Sequence, residues 1–152
     1  MIVFIYLVLI SCFGQSSDTS LKSLDPTGTY KLGRSAEDKN GEVYGYYGEL
    51  RVKKVDSSKI LMCFYICKGA PSYNSGSFVD TLSYNNMTAS YRYADDSTCT
   101  VTFQFEKKGV VVSSVQDDLN FGCGFGHGVL ASGYFKKISH KEPDIVDLTN
   151  GE

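Results

Sequence analysis

From Cys99 to Glu106 apolar and polar side chains alternate without a break, Cys99, Val101, Phe103 and Phe105 against Thr100, Thr102, Gln104 and Glu106. A strand turns successive side chains to opposite faces, so this period buries one face and wets the other. The same period returns in Gly48, Leu50 and Val52 against Glu49, Arg51 and Lys53, and in Met87, Ala89, Tyr91 and Tyr93 against Thr88, Ser90 and Arg92. Half-buried strands of this kind belong to antiparallel sheets. No segment of useful length carries a helical period. The breaks Asp56-Ser57-Ser58, Asn85-Asn86, Asp95-Asp96-Ser97 and Lys107-Lys108-Gly109 sit between the β-rich runs where hairpin turns belong. A supply of 11 Tyr, 9 Phe and 15 Gly, with 3 Pro and no Trp, suits strands punctuated by turns.

The pattern predicts an all-β domain: a single antiparallel meander of about eight strands, near 28–32, 45–55, 59–68, 77–84, 88–93, 99–106, 110–116 and 129–137. The first reads Gly28-Thr29-Tyr30-Lys31 and the last Gly133-Tyr134-Phe135-Lys136, each a glycine beside an aromatic and a lysine. Pairing them closes an up-and-down, lipocalin-like barrel and removes the exposed edges of an open sheet. A two-sheet β-sandwich is the alternative.

Residues 1–14 form an apolar run of signal-peptide length, too short to cross a bilayer as a helix, and predict export. Two processing routes fit: cleavage before Gln15, or a lipoprotein signal over 1–11 with lipidation of Cys12 in Leu9-Ile10-Ser11-Cys12. The expected destination is the bacterial periplasm, the outer membrane through a lipid on Cys12, or the extracellular space. Residues 15–27 read as a flexible linker, 28–137 as the barrel domain and 138–152 as a loose polar tail. The net charge of −2, with both signs interspersed, indicates neither a nucleic-acid surface nor a membrane-surface patch. Nothing in the composition calls for a cofactor or an oligomer, and a monomer is expected.

In an oxidising compartment Cys63, Cys67, Cys99 and Cys123 allow three pairings. Cys63 and Cys67 share a predicted strand, which sets their Cα atoms about 13 Å apart, beyond disulfide reach. A bridge between Cys99 and Cys123 is the favoured pairing, leaving Cys63 and Cys67 as thiols. A metal site is not expected, because zinc wants four ligands and no His lies near this cysteine pair.

Both faces of 59–68 are apolar, with Ile60, Met62, Phe64 and Ile66 on one and Leu61, Cys63, Tyr65 and Cys67 on the other. A covering loop or tail is favoured over an exposed strip for a partner. Asp80 shares parity with Phe78, Leu82 and Tyr84, where an inward carboxylate would meet a ligand's polar end; a rim position satisfied by a backbone N–H is the preferred reading. His127 has no nucleophile or acid partner of a known pattern around it, so no catalytic residue is assigned. Two irregular loops remain, 69–76 and 117–128. They carry Tyr73, Asn74, Phe121 and Phe125, residue types suited to contact surfaces. Asn86-Met87-Thr88 matches a glycosylation sequon, a short pattern of low specificity.

The Cys123-Gly124-Phe125-Gly126-His127 loop and the Gly133-Tyr134-Phe135-Lys136-Lys137 ending resemble a group of small secreted or lipid-anchored bacterial proteins, over roughly 28–137. That resemblance implies export and no particular activity. A looser similarity is to periplasmic lysozyme inhibitors, β-barrels stapled by a disulfide. Their Ser-Gly-x-x-Tyr signature is not met, since Ser75-Gly76-Ser77-Phe78 has Phe78 in place of the tyrosine, so no inhibitory residue is carried over. The expected function is therefore non-enzymatic binding of a protein or small ligand through 69–76 or the barrel mouth, with Tyr73, Asn74, Ser75, Asp80 and His127 as candidate residues. The alternatives are a lipocalin-like carrier with its ligand near Asp80 and an inhibitor of a cell-wall hydrolase such as lysozyme.

Overall fold

The computed structural model describes residues 24–33, 37–95, 98–118, 120 and 122–146. The apolar leader with Cys12, the linker as far as residue 23, Phe121 and the last six residues of the tail lie outside them. Eight strands follow in order: β1 (Gly28–Leu32), β2 (Tyr44–Lys54), β3 (Lys59–Gly69), β4 (Ser75–Asn85), β5 (Thr88–Tyr91), β6 (Thr100–Glu106), β7 (Gly109–Val115) and β8 (Gly133–Ser139). Each pairs antiparallel with its neighbour, and β1 pairs with β8, with Lys31 opposite Lys136 and Leu32 opposite Phe135. The meander closes into a barrel, and the two-sheet alternative does not form.

Alternation decides which side chains enter. Leu50, Val52, Ile60, Met62, Phe64, Ile66, Val101, Phe103 and Phe105 all face inward and are buried. Phe64 sits at the centre, its ring 5.4 Å from that of Phe103, 5.5 Å from Phe78 and 5.7 Å from Phe135. The outer wall carries charge: Glu49 joins Lys31 at 3.2 Å and Arg51 at 2.6 Å. Aromatics inside and ion pairs outside is the reverse of a barrel whose outer wall faces lipid.

The two ends differ. At one, which we term the turn end, the connections are 55–58, 86–87 and 107–108. Asn86 and Met87 both hold positive φ, 49° and 61°, between the paired Asn85 and Thr88, the twist a two-residue hairpin needs. At the loop end lie the described parts of the connections 33–43, 70–74, 92–99 and 116–132.

Both ends are stoppered. At the turn end, residues 24–27 do not extend the linker but cap the core: the buried Tyr30 hydroxyl donates to the Pro26 carbonyl at 2.5 Å, and that of Tyr84 to Leu24 at 2.9 Å. At the loop end, Phe125 is driven into the barrel, 6.2 Å from the Phe64 ring, with Val129 and Ala131 buried behind it. This corrects the predicted start of the last strand at residue 129. The apolar residues there are buried because they belong to a lid; pairing begins at Gly133. β5 likewise ends at Tyr91, short of Tyr93, and Cys99 precedes β6.

The tail is not loose through residue 146. It straps the outer face of β2 and β3, held by a Lys53–Glu142 ion pair at 2.5 Å, an Arg51 bond to the Asp144 carbonyl at 3.3 Å and a Cys63 thiol bond to the Val146 carbonyl at 3.0 Å. The strap explains how the second apolar face of β3 is covered.

Candidate functional site

The lid is built from residues 122–131 and held at three places. Cys99 and Cys123 form a disulfide with Cα atoms 5.0 Å apart, tying the lid to the β5–β6 connection. Tyr46, on β2, accepts from the Leu130 N–H at 3.2 Å and donates to the Gly128 carbonyl at 3.0 Å. The third hold is the β3–β4 loop: Asn74 donates its amide to the His127 carbonyl at 2.8 Å, and the Gly126 N–H donates to the Ser75 carbonyl at 2.9 Å. Gly76 is the glycine this packing requires, because a Cβ there would stand inside the Phe125 ring.

Tyr73, Asn74, Ser75 and His127 therefore come together at the loop end, although more than fifty residues separate the first from the last. Asn74 gives its side-chain amide and Ser75 its carbonyl to the lid, and His127 is an exposed residue on its surface. Tyr73 holds positive φ, 51°, and its hydroxyl makes a short hydrogen bond to the Glu42 carboxylate while accepting the Val43 N–H at 3.4 Å. That bond to Glu42 keeps the phenolic proton on Tyr73 above the ordinary tyrosine range. The Tyr73 ring stays 40% exposed, Tyr44 beside it 47% and Leu130 of the lid 39%. Tyr44, Tyr46 and Leu130 were not singled out from the sequence; the tyrosine-rich run Tyr44 to Tyr47 was the signal available.

Asp80 is not at this end. It lies midway along β4 and is exposed, its carboxylate accepting the N–H of the next residue, Thr81, at 2.7 Å. Inward parity did not put it inside, because β4 and β5 part at this point and the carboxylate turns out through the gap. A cleft of about 500 Å³ opens there between Asp80 to Ser83 and Ser90 to Arg92. A second hollow, about 300 Å³, lies on the outer wall over Gly48 between Lys31, Tyr47 and Tyr65. A hydrogen bond with Cys67 holds the Tyr47 proton above the usual tyrosine range, with burial acting the same way.

Cys63 and Cys67 stay out of any disulfide and are buried under the strap and under the Tyr73 carbonyl, which accepts from Cys67 at 3.5 Å. No group of three or more His, Cys, Asp or Glu side chains suited to a metal occurs among the described residues. The fold and these surfaces define a closed eight-stranded antiparallel barrel with a filled interior and a disulfide-tied lid. Comparison with protein-family models, with curated proteins and with solved structures finds no match to this chain.

Proposed function

We propose that the protein is a non-enzymatic binding protein of the cell envelope that grips a protein partner through its loop end. The observation that carries this reading is the half-exposed trio Tyr44, Tyr73 and Leu130, carried by the start of β2, the β3–β4 loop and the lid, which are bonded to one another over a solid barrel. Large side chains held rigid in the unbound state lose little entropy on contact, which is how aromatic anchors come to dominate interfaces. The disulfide fits an oxidising compartment, as export requires.

A carrier with its ligand inside the barrel has less support. Phe64, Phe103, Phe105 and Tyr91 occupy the interior, and the lid and the 24–27 segment stopper both ends. The test is a photo-crosslinking amino acid at position 73, with position 111 midway along the outer wall of β7 as control, in envelope extract of the native host. The expected result is a discrete adduct from position 73 alone that disappears with Tyr44→Ser and Leu130→Ser. Equal labelling from both positions, or none from position 73, rejects the reading. Asn74 is left intact because its loss would loosen the lid and confuse folding with binding.

A further inference from the structure

β4 and β5 are bonded only at Tyr84 opposite Ala89 and Asn85 opposite Thr88. From Leu82 back to Gly76, β4 continues with β3 as its one strand partner among the described residues, and at its start the Ser75 carbonyl is taken by the Gly126 N–H of the lid. The Tyr84 N–H donates toward β3, to the Ser58 carbonyl at 2.7 Å, so the backbone groups of alternate residues face β5: Asn85 and Ser83 flank the Tyr84–Ala89 pair and belong to the short ladder, and those of Thr81, the next in turn, face the gap. One of these donors, the Thr81 N–H, is occupied by the carboxylate of Asp80, its own neighbour in the chain.

The gap has a cause. Beyond Tyr91 the chain is drawn toward the lid by the Cys99–Cys123 disulfide and by Tyr93, whose ring lies against Gly124. Behind the gap Phe78 and Tyr91 stack at 3.8 Å with planes 3° apart, sealing the core from the cleft. What remains is a hollow whose one wall is a strand edge, lined above by hydroxyls and below by Leu82 and Ala89.

We propose that this cleft receives a single extended peptide segment, which adds to β4 as a strand. Main-chain hydrogen bonds supply the affinity in such additions, and side chains projecting at every second position supply the choice of sequence. Small apolar residues of the guest would meet Leu82 and Ala89, and polar ones would stand between Asp80 and Arg92. A strand already built into another sheet does not fit, because both flanks of the cleft are occupied. The Asp80 carboxylate must leave the Thr81 N–H when the guest enters, which makes Asp80 a brake on binding and guards the edge against indiscriminate pairing.

The test is an anisotropy titration of the full chain against a fluorescein-labelled peptide, Lys-Thr-Val-Thr-Val-Thr-Lys, and against the same peptide N-methylated at alternate residues. Saturable binding of the first and none of the second is expected. Thr81→Pro, which removes a donor facing the gap and spares the β3 pairing, should weaken binding at least about tenfold. Asp80→Ala should tighten it about fivefold, the effect of releasing one hydrogen bond. Tyr73→Ala should leave it unchanged, which separates this site from the loop end. The proposal is overturned if wild type does not saturate by about 1 mM peptide, if the N-methylated peptide binds equally, or if a natively melting Thr81→Pro variant keeps full affinity. Should Thr81→Pro fail to fold, absence of tightening in Asp80→Ala overturns it instead.

Discussion

The disulfide is the sharpest place to perturb the molecule, because it ties the β5–β6 connection covalently to the lid. Cys99 and Cys123 are separated by 24 positions and are both buried, 0% and 1% exposed. Replacing the pair by serine would bury two hydroxyls, so the informative variant is Cys99→Ala with Cys123→Ala, which leaves small apolar groups. Removing a cross-link over a loop of 24 residues restores about 12 cal/mol/K to the unfolded chain on the loop-entropy relation, or about 3.4 kcal/mol at 25 °C. With roughly 2.1 cal/mol/K of unfolding entropy per residue over about 120 ordered residues, the melting temperature should fall by about 14 °C. Differential scanning calorimetry measures it, with the wild type scanned alongside. A fall of less than about 4 °C would refute the reasoning, since it would mean that the unfolded chain already holds these segments together or that the cross-link strains the native state by a comparable amount.

Four further outcomes follow from the stoppers and the strap. Tyr30→Phe leaves the buried Pro26 carbonyl without its donor and should cost about 1–2 kcal/mol in urea unfolding. Burial raises the hydroxyl pKa of Tyr30, Tyr84 and Tyr91 in the fold, so above pH about 10 the unfolded chain releases protons that the folded chain keeps. The contribution of these tyrosines to stability should be constant below that pH and fall as pH rises beyond it, a slope that Tyr30→Phe lessens. Gly76→Ala drives a methyl into the Phe125 ring and should cost about 1–3 kcal/mol, with faster limited proteolysis within 122–131 as the local readout. Finally, Cys63 and Cys67 should resist iodoacetamide in the native chain; ending the chain at Ser139 should expose Cys63, beneath Val146, before Cys67, beneath Tyr73, as intact mass after labelling reports.

The barrel was legible because its strands are half-buried, and a half-buried strand writes its orientation into every second residue. β1, β2, β5 and β6 follow this rule, and closure was readable from the matching glycine and aromatic residues of the first and last strands. Apolar character, though, reports burial and not pairing. Val129 and Ala131 look like strand residues and belong to a lid; Leu24 and Ile145 sit in segments of polar composition, and both of those segments dock. Asp80 shows the same limit from the other side, since parity fixes a face only where the neighbouring strand is present. The gathering of Tyr73, Asn74 and His127 depends on contacts across 53 residues, such as Asn74 to His127, which no local pattern encodes.

Because β1 and β8 are neighbours, the chain enters and leaves the barrel side by side at the turn end, with Thr29 opposite Ser139. A stretching force applied between the two termini would therefore act across these strands, not along them. It would first peel the strap from β2 and β3, then draw the 24–27 segment from beneath the core, and then part β1 from β8 one rung at a time, as a zipper opens. A pull on one terminus against a partner gripping the loop end would instead run along the strands and load many rungs together. The same molecule would be mechanically soft in the first geometry and stiff in the second.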